Sequence, residues 1–179
     1  KEYHSVNLEL KESYQKLLQN INLLEESNER YEAFLMQTTE AVYRIDLQLP
    51  IETNLPVDQQ VDAILKNAFF AEYNPVFAKI YELEDKDKII GKQFENLNNS
   101  ELKNIIEILL NEIVKNKYKI RNKETCEHQK NGPDKYFLNN IIVMVEHNKL
   151  HRLWGIKTDI TKLKKYEGEL IEAKMVAER

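Results

Sequence analysis

The sequence predicts an α+β chain: one antiparallel sheet of five strands with its helices on one face, preceded by a long N-terminal coiled-coil helix and followed by a C-terminal helix. Three observations predict it. An apolar heptad runs unbroken through the first 35 residues. From Glu40 the patterning follows the order strand, strand, short helices, long helix, then three strands joined by turn signals. Finally, Leu150 to Tyr166 begins as a strand and becomes helical with no flexible Gly/Pro linker between.

Tyr3, Asn7, Leu10, Tyr14, Leu17, Ile21, Leu24, Asn28, Tyr31 and Leu35 alternate at +4 and +3. This is an a/d seam with Leu10, Leu17 and Leu24 at d and with Asn7 and Asn28 at a. A buried a-position Asn satisfies itself against the same Asn of a parallel partner, which sets register and favours two strands. The seam therefore predicts a parallel homodimer. The competing reading is a single amphipathic helix lying on its own domain. At ~1.5 Å per residue, however, such a helix is on the order of 50 Å long, more than a domain of this size covers.

Ala41 to Asp46 reads as a short strand, and Pro50 and Pro56 bracket a loop. Val57, Val61, Ile64, Leu65 and Ala68 give a short helix with Asp58 near its start. Phe69 to Tyr73 is a second strand. Asn74 before Pro75 is a helix start, with Val76, Phe77, Ile80 and Tyr81 on the buried face. Asp85 to Ile89 gives another turn, stopped by Gly91. Ser100 can cap a longer helix whose apolar stripe is Leu102, Ile105, Ile106, Leu109, Leu110, Ile113 and Val114. Three strands follow, Lys117 to Gln129, Lys135 to Glu146 and Leu150 to Thr158, with turns at Asn131-Gly132-Pro133 and His147-Asn148-Lys149. Asp159 and Thr161 are helix-start residues, because a short side-chain oxygen accepts from an unpaired N–H of a first turn. Beyond them Leu163, Tyr166, Leu170, Ala173 and Ala177 form a second heptad stripe.

Composition narrows the function. The 179 residues carry a formal net charge of −4 with both signs dispersed, which argues against nucleic acid as the main partner. No apolar run reaches the roughly 18 residues a bilayer span needs. One cysteine, Cys126, excludes an internal disulfide framework and fits a reducing compartment. The chain starts at Lys1 rather than Met and ends in a helical pattern at Arg179, as expected of a segment of a longer protein.

Asn74-Pro-Val-Phe-Ala-Lys-Ile-Tyr81, Ile89-Ile-Gly-Lys92 and Trp154-Gly-Ile-Lys-Thr-Asp-Ile-Thr161 resemble, in that order, a PAS sensory domain of a bacterial signalling protein. The resemblance covers about residues 38–161 and divides the chain into an N-terminal coiled-coil helix (1–37), the PAS domain (38–161) and the start of a signalling helix (162–179). It implies a cytoplasmic sensory or signal-relay module passing input through paired helices to an output domain in cis. A sensor histidine kinase is the leading expectation, because Tyr166 to Lys174 looks like the helix that precedes kinase dimerisation helices. The parent protein is open to membrane anchorage upstream of Lys1. A cyclase or transcription regulator as output, or a spacer that senses nothing, are the alternatives. One departure stands out: PAS domains join their first two strands tightly, whereas here about 20 residues intervene, including the helix at 57–68.

No catalytic constellation is present, so the segment itself is expected not to be an enzyme. None of the four histidines, His4, His128, His147 and His151, lies in a phosphoacceptor box. Cys126 and His128 share a strand face but lack further metal ligands. Gly91-Lys92 lacks the upstream glycine of a phosphate loop, and Asn98-Asn-Ser100 is read as a helix cap. Against the PAS resemblance, Ile105 to Val114 contains neither the Cys of a flavin-adduct receptor nor a His for haem, so neither cofactor is expected. The resemblance also implies a cavity between sheet and helices, lined by Tyr43, Phe70, Phe77, Tyr81, Phe94, Leu109, Phe137, Asn139 and Trp154, either a dry core or the site of a small apolar ligand. Asp159, Ile160 and Thr161 are the expected relay, holding the last strand to the exit helix, with Arg44 or a lysine as ion partner to Asp159.

Overall fold

The computed structural model describes residues 2–83, 89–97, 100–128 and 132–178. They fall into two compact units, Lys1–Thr38 and Thr39–Arg179. The first is a single helix, α1 (Glu2–Gln37). Leu10, Tyr14, Leu17, Ile21 and Leu24 all stand exposed on it, Leu24 by 71%. The Asn28 amide donates to Glu32 one turn on, at 2.9 Å.

The second unit is built on one antiparallel sheet in the order β2-β1-β5-β4-β3. Its strands are β1 (Ala41–Glu52), β2 (Ala68–Tyr73), β3 (Lys119–Glu127), β4 (Lys135–Glu146) and β5 (Lys149–Asp159). The helices are α2 (Val57–Asn67), α3 (Pro75–Ile80), α4 (Ser100–Lys115) and α5 (Thr161–Ala177), with a 3₁₀ turn at Phe94–Asn96. The α+β class, the antiparallel sheet and the two long flanking helices are as the sequence predicts. The predicted turn at 85–88 and the Asn131 corner lie outside the described residues, as do Asn98 and Asn99.

Strand alternation sorts the sheet into two faces. Tyr43 and Ile45, Phe70, Phe137 and Ile141, and Leu153 point into the core against α4, whose Leu102, Leu109, Leu110 and Ile113 are buried. Six aromatic ring pairs among Tyr43, Phe70, Tyr73, Phe77, Tyr81 and Phe94, with centroids 4.8–6.1 Å apart, fill the end nearest α3. The predicted Asn74 cap is present: its Oδ1 accepts from Phe77 N–H at 3.1 Å and from Val42 N–H at 3.0 Å, while its amide donates to the Glu40 carbonyl. One side chain thus starts α3 and fastens it to β1.

Several boundaries differ from the sequence reading: β3 starts at Lys119 because Lys117 and Tyr118 turn with positive φ, and Ala68 opens β2 rather than closing α2. The first strand runs on through Pro50 to Glu52 rather than ending at Asp46. The β1–β5 register breaks between Asp46 and Ile51, so Pro50 falls where no ladder hydrogen bond is asked of it. The fourth helix starts at Ser100 itself, which is its first residue rather than the flanking cap. The turn at His147-Asn148 is as predicted; both residues have positive φ, 49° and 61°, the geometry of a two-residue hairpin of primed type.

The insertion between β1 and β2 is part of the core. Val61 and Ile64 of α2 are buried. Gln60, 3% exposed, donates to the carbonyls of Thr53 and Leu55 at 3.1 and 2.6 Å and accepts from the Tyr118 hydroxyl at 3.0 Å. Replacing Gln60 by Leu strands the Leu55 carbonyl and leaves the Tyr118 hydroxyl and the Thr53 carbonyl only their mutual hydrogen bond at 3.2 Å. A loss of about 1–3 kcal/mol is expected, read as a lower urea midpoint at unchanged m value. A loss below 0.5 kcal/mol, within the range of an ordinary surface change, overturns the assignment.

Candidate functional site

The junction between sheet and exit helix is short and heavily bonded. β5 ends at Asp159 and α5 begins at Thr161, so Ile160 alone separates them. Ile160 N–H donates to the Tyr136 carbonyl at 2.9 Å, and Tyr136 N–H donates to Thr161 Oγ1 at 3.0 Å. The last strand and the first helical turn are thereby stitched to the start of β4. Asp159 Oδ1 accepts from Thr161 N–H at 2.9 Å, and Thr158 Oγ1 donates to Glu40 at 2.7 Å. Lys164, one turn into the helix, reaches Glu124 of β3 at 2.8 Å and Glu167 at 3.4 Å; the hydrogen bond to Glu124 raises the lysine pKa.

The predicted relay residues are brought together, with two changes of role. Ile160 occupies the cap position, where no side chain bonds; Asp159 makes an Asx-type turn to the first helical N–H, and the Thr161 hydroxyl turns back to β4. Arg44 is not the ion partner of Asp159. It pairs with Asp46 and Glu72, each at 3.4 Å, because its register places it opposite Trp154 on β5 and beside Glu72 on β2.

Beneath the junction lies a buried charge cluster that sequence reasoning missed. The Lys157 ammonium donates to Glu127 Oε1 at 2.5 Å and to the Tyr81 hydroxyl, and both charged side chains are 1% exposed. Tyr81 in turn donates to Glu127 Oε2 at 3.2 Å, and Thr125 Oγ1 donates to Oε1 at 3.1 Å. The Lys157 ammonium also lies 4.7 Å from the Phe137 ring centroid and 4.9 Å from that of Tyr81. Asn139, opposite Lys157 on β4, donates to Thr125 Oγ1 and the Lys123 carbonyl, and its Oδ1 has no partner among the described residues. Burial lowers the Lys157 pKa, and the nearby Glu127 carboxylate opposes that shift. Burial raises the hydroxyl pKa values of Tyr43 and Tyr81, and the Glu127 charge raises both further. The signal for this cluster was present. Leu153, Gly155 and Lys157 share one strand face, so a lysine at the inward position has to meet an anion.

A cavity of about 30 Å³ lies between this cluster and α4. Of the residues expected to line it, Tyr43, Phe70, Phe77, Tyr81 and Leu109 do. Phe94 packs behind Phe70, Phe137 lies against the Lys157 ammonium, and Asn139 bonds to β3. Trp154 does not belong to it. Its neighbours Leu153 and Gly155 point inward, so it faces the other side of the sheet, with the Arg152 guanidinium 5.6 Å above its ring.

The remaining candidates are at the surface. Exposed Cys126 on β3 and His128 just after it both approach Asp134 across the hairpin, at 3.8 and 2.7 Å. Among the described residues no group of three or more His, Cys, Asp or Glu side chains is placed to hold a metal, and no helix is long and apolar enough to cross a membrane.

No family model matches the chain, and no curated protein matches it. Solved structures do. An RNA-binding light-oxygen-voltage receptor superposes with TM-score 0.52 at 10% identity, over 83% of this chain and 37% of that one. The PAS domain of BvgS from Bordetella pertussis gives TM-score 0.50 at 11% identity, over 84% of this chain and 98% of that one. A sensory box histidine kinase/response regulator from Burkholderia thailandensis E264 gives 0.48 at 11%, over 84% and 98%. The chain spans little more than a third of the first of these proteins. At such identities the likeness is one of fold, and the fold is that of a PAS domain.

Proposed function

We propose that the chain is a sensory or signal-relay PAS module of a multidomain bacterial signal-transduction protein, a two-component sensor histidine kinase, and that it acts on its output through α5. The chain itself does no chemistry in this reading. The carrying observation is the junction: the single residue Ile160 between sheet and helix, with hydrogen bonds at 2.9 and 3.0 Å tying both to Tyr136. A displacement of β4 or β5 is transmitted to α5 because no soft segment absorbs it.

Pairing of two copies completes the relay. Leu163, Tyr166 and Leu170 of α5 are 54–72% exposed, and Leu10, Tyr14, Leu17 and Leu24 of the α1 seam 56–71%, whereas the predicted seam residue Leu35 is buried; a parallel homodimer covers both exposed stripes. Sedimentation of the 179-residue chain is expected to give a dimer at micromolar concentration. A monomer there rejects the pairing.

The relay is tested by Asp159→Ala in the full-length parent. Loss of one helix-start bond is worth about 1 kcal/mol, which moves a two-state output about fivefold. Basal or stimulated activity is expected to change by that factor while the thermal midpoint of the domain falls by only a few degrees and the domain stays folded at the assay temperature. Unchanged output at both levels discards the relay. The small cavity favours a second reading, a spacer that sets dimerisation without sensing. Output that follows coil length but ignores Asp159 supports the spacer.

A further inference from the structure

Buried ion pairs often add little stability, because desolvating two charges offsets their attraction, so a pair kept in a core calls for another role. The place of Lys157 and Glu127 in the sheet supplies one. Lys157 stands two residues before the end of β5, opposite Asn139 on β4, whereas Glu127 is the last residue of β3, opposite Lys135. The Lys157 side chain therefore crosses beneath β4 to reach Glu127, with its ammonium 4.7 Å from the Phe137 ring centroid on the way. The stretch of β4 bridged in this manner, 135–139, contains Tyr136, whose backbone holds Ile160 and Thr161. The pair is a strut under the clasp that sets α5.

The third member of the strut comes from a different element. Tyr81 is the residue that closes α3, and its hydroxyl bonds to the Lys157 ammonium and, at 3.2 Å, to Glu127 Oε2. The other end of α3 starts at Asn74, which is fastened to Glu40 and Val42, where the chain enters the sheet. Between these ends α3 has six residues. At 1.5 Å per residue that is about 9 Å, too short for the helix to bend appreciably. Apolar side chains would fill the space of the cluster, but apolar contact is non-directional and lets elements slide. Hydrogen bonds fix distance and angle, so they carry a displacement from one element to the next.

We propose that α3 is the input element of the relay and that Tyr81, Lys157 and Glu127 are the positioning residues through which it acts. A shift of α3 moves the Tyr81 hydroxyl, the hydroxyl moves the ion pair, and the pair moves the ends of β3 and β5 that flank Tyr136. The proposal rests on the relay reading above and adds where the displacement comes from.

Amide hydrogen exchange in the 179-residue chain tests it. The quantity read is the exchange rate of Ile160 N–H, which bonds to Tyr136, relative to the rates of Leu109 and Ile113 in α4, which report global opening. A purely structural loss moves all three rates together and leaves the ratio alone. Tyr81→Phe deletes one hydroxyl and is expected to raise the ratio about fivefold, the equivalent of one hydrogen bond. In the Lys157→Met, Glu127→Leu background the same Tyr81→Phe is expected to leave the ratio where it stands, because the path is already cut. A ratio unmoved by Tyr81→Phe in the otherwise wild-type chain overturns the proposal, and so does an equal rise with and without the ion pair. Should the triple variant fail to fold, Tyr81→Phe alone decides. Asp159→Ala is read as output of the parent and Tyr81→Phe as exchange in this chain, so failure here and failure of the relay are separate results.

Discussion

Lys157→Met is expected to destabilise the domain by about 3–5 kcal/mol, the cost of leaving a buried carboxylate without its cation. Glu127 is 1% exposed, and its remaining partners are two neutral hydroxyls, Thr125 and Tyr81. They donate to the carboxylate without cancelling its charge. The double change Lys157→Met with Glu127→Leu removes both charges and is expected to recover most of the loss, since hydrophobic replacement of a whole buried pair is often neutral or stabilising. Urea midpoints at constant m value measure both. A single variant within 1 kcal/mol of wild type means that Glu127 reaches water in the folded chain.

Periodicity made most of the fold legible. The heptad of α1, the stripe of α4 and the alternation of β4 are each long enough to read without tertiary help, and Asn74-Pro75 announces its own cap. What stayed hidden depends on partners distant in sequence. Pro50 looks like a strand terminator until the register break opposite it is known. Arg44 looks available to Asp159 until the pairing sets it between Asp46 and Glu72. Trp154 looks like cavity material because it is large and apolar, yet the inward position is taken by the smaller Gly155 beside it. Glu127 and Lys157 are 30 residues apart and each has the composition of a surface position; only the β3–β4–β5 register brings them together.

Gly155→Ala is expected to cost about 2–3 kcal/mol, at the upper end of ordinary overpacking. Gly155 lies directly across the β1–β5 ladder from Tyr43, and the ring folds over it. A methyl group at Gly155 would stand 2.0 Å from Tyr43 Cζ and 2.5 Å from Cε1. The ring cannot retreat, because Phe70 and Phe77 hold it with centroids at 6.1 and 5.1 Å. The glycine is required for space and not for conformation, since its backbone lies outside the positive-φ region. Rescue therefore has a definite chemistry. Tyr43→Phe keeps the clashing carbons and should not help, whereas Tyr43→Leu removes them. In the double variant the cost of the alanine should largely vanish, giving a coupling of roughly 2–3 kcal/mol between the sites. Additive losses would mean that the alanine acts through the strand rather than through the ring. The same contact explains why a small residue sits two positions before Lys157: with Tyr43 laid flat on β5, its hydroxyl is carried toward the Lys157–Glu127 pair, where the Glu127 charge acts on it. A side chain at Gly155 would push that hydroxyl away from the charged pair.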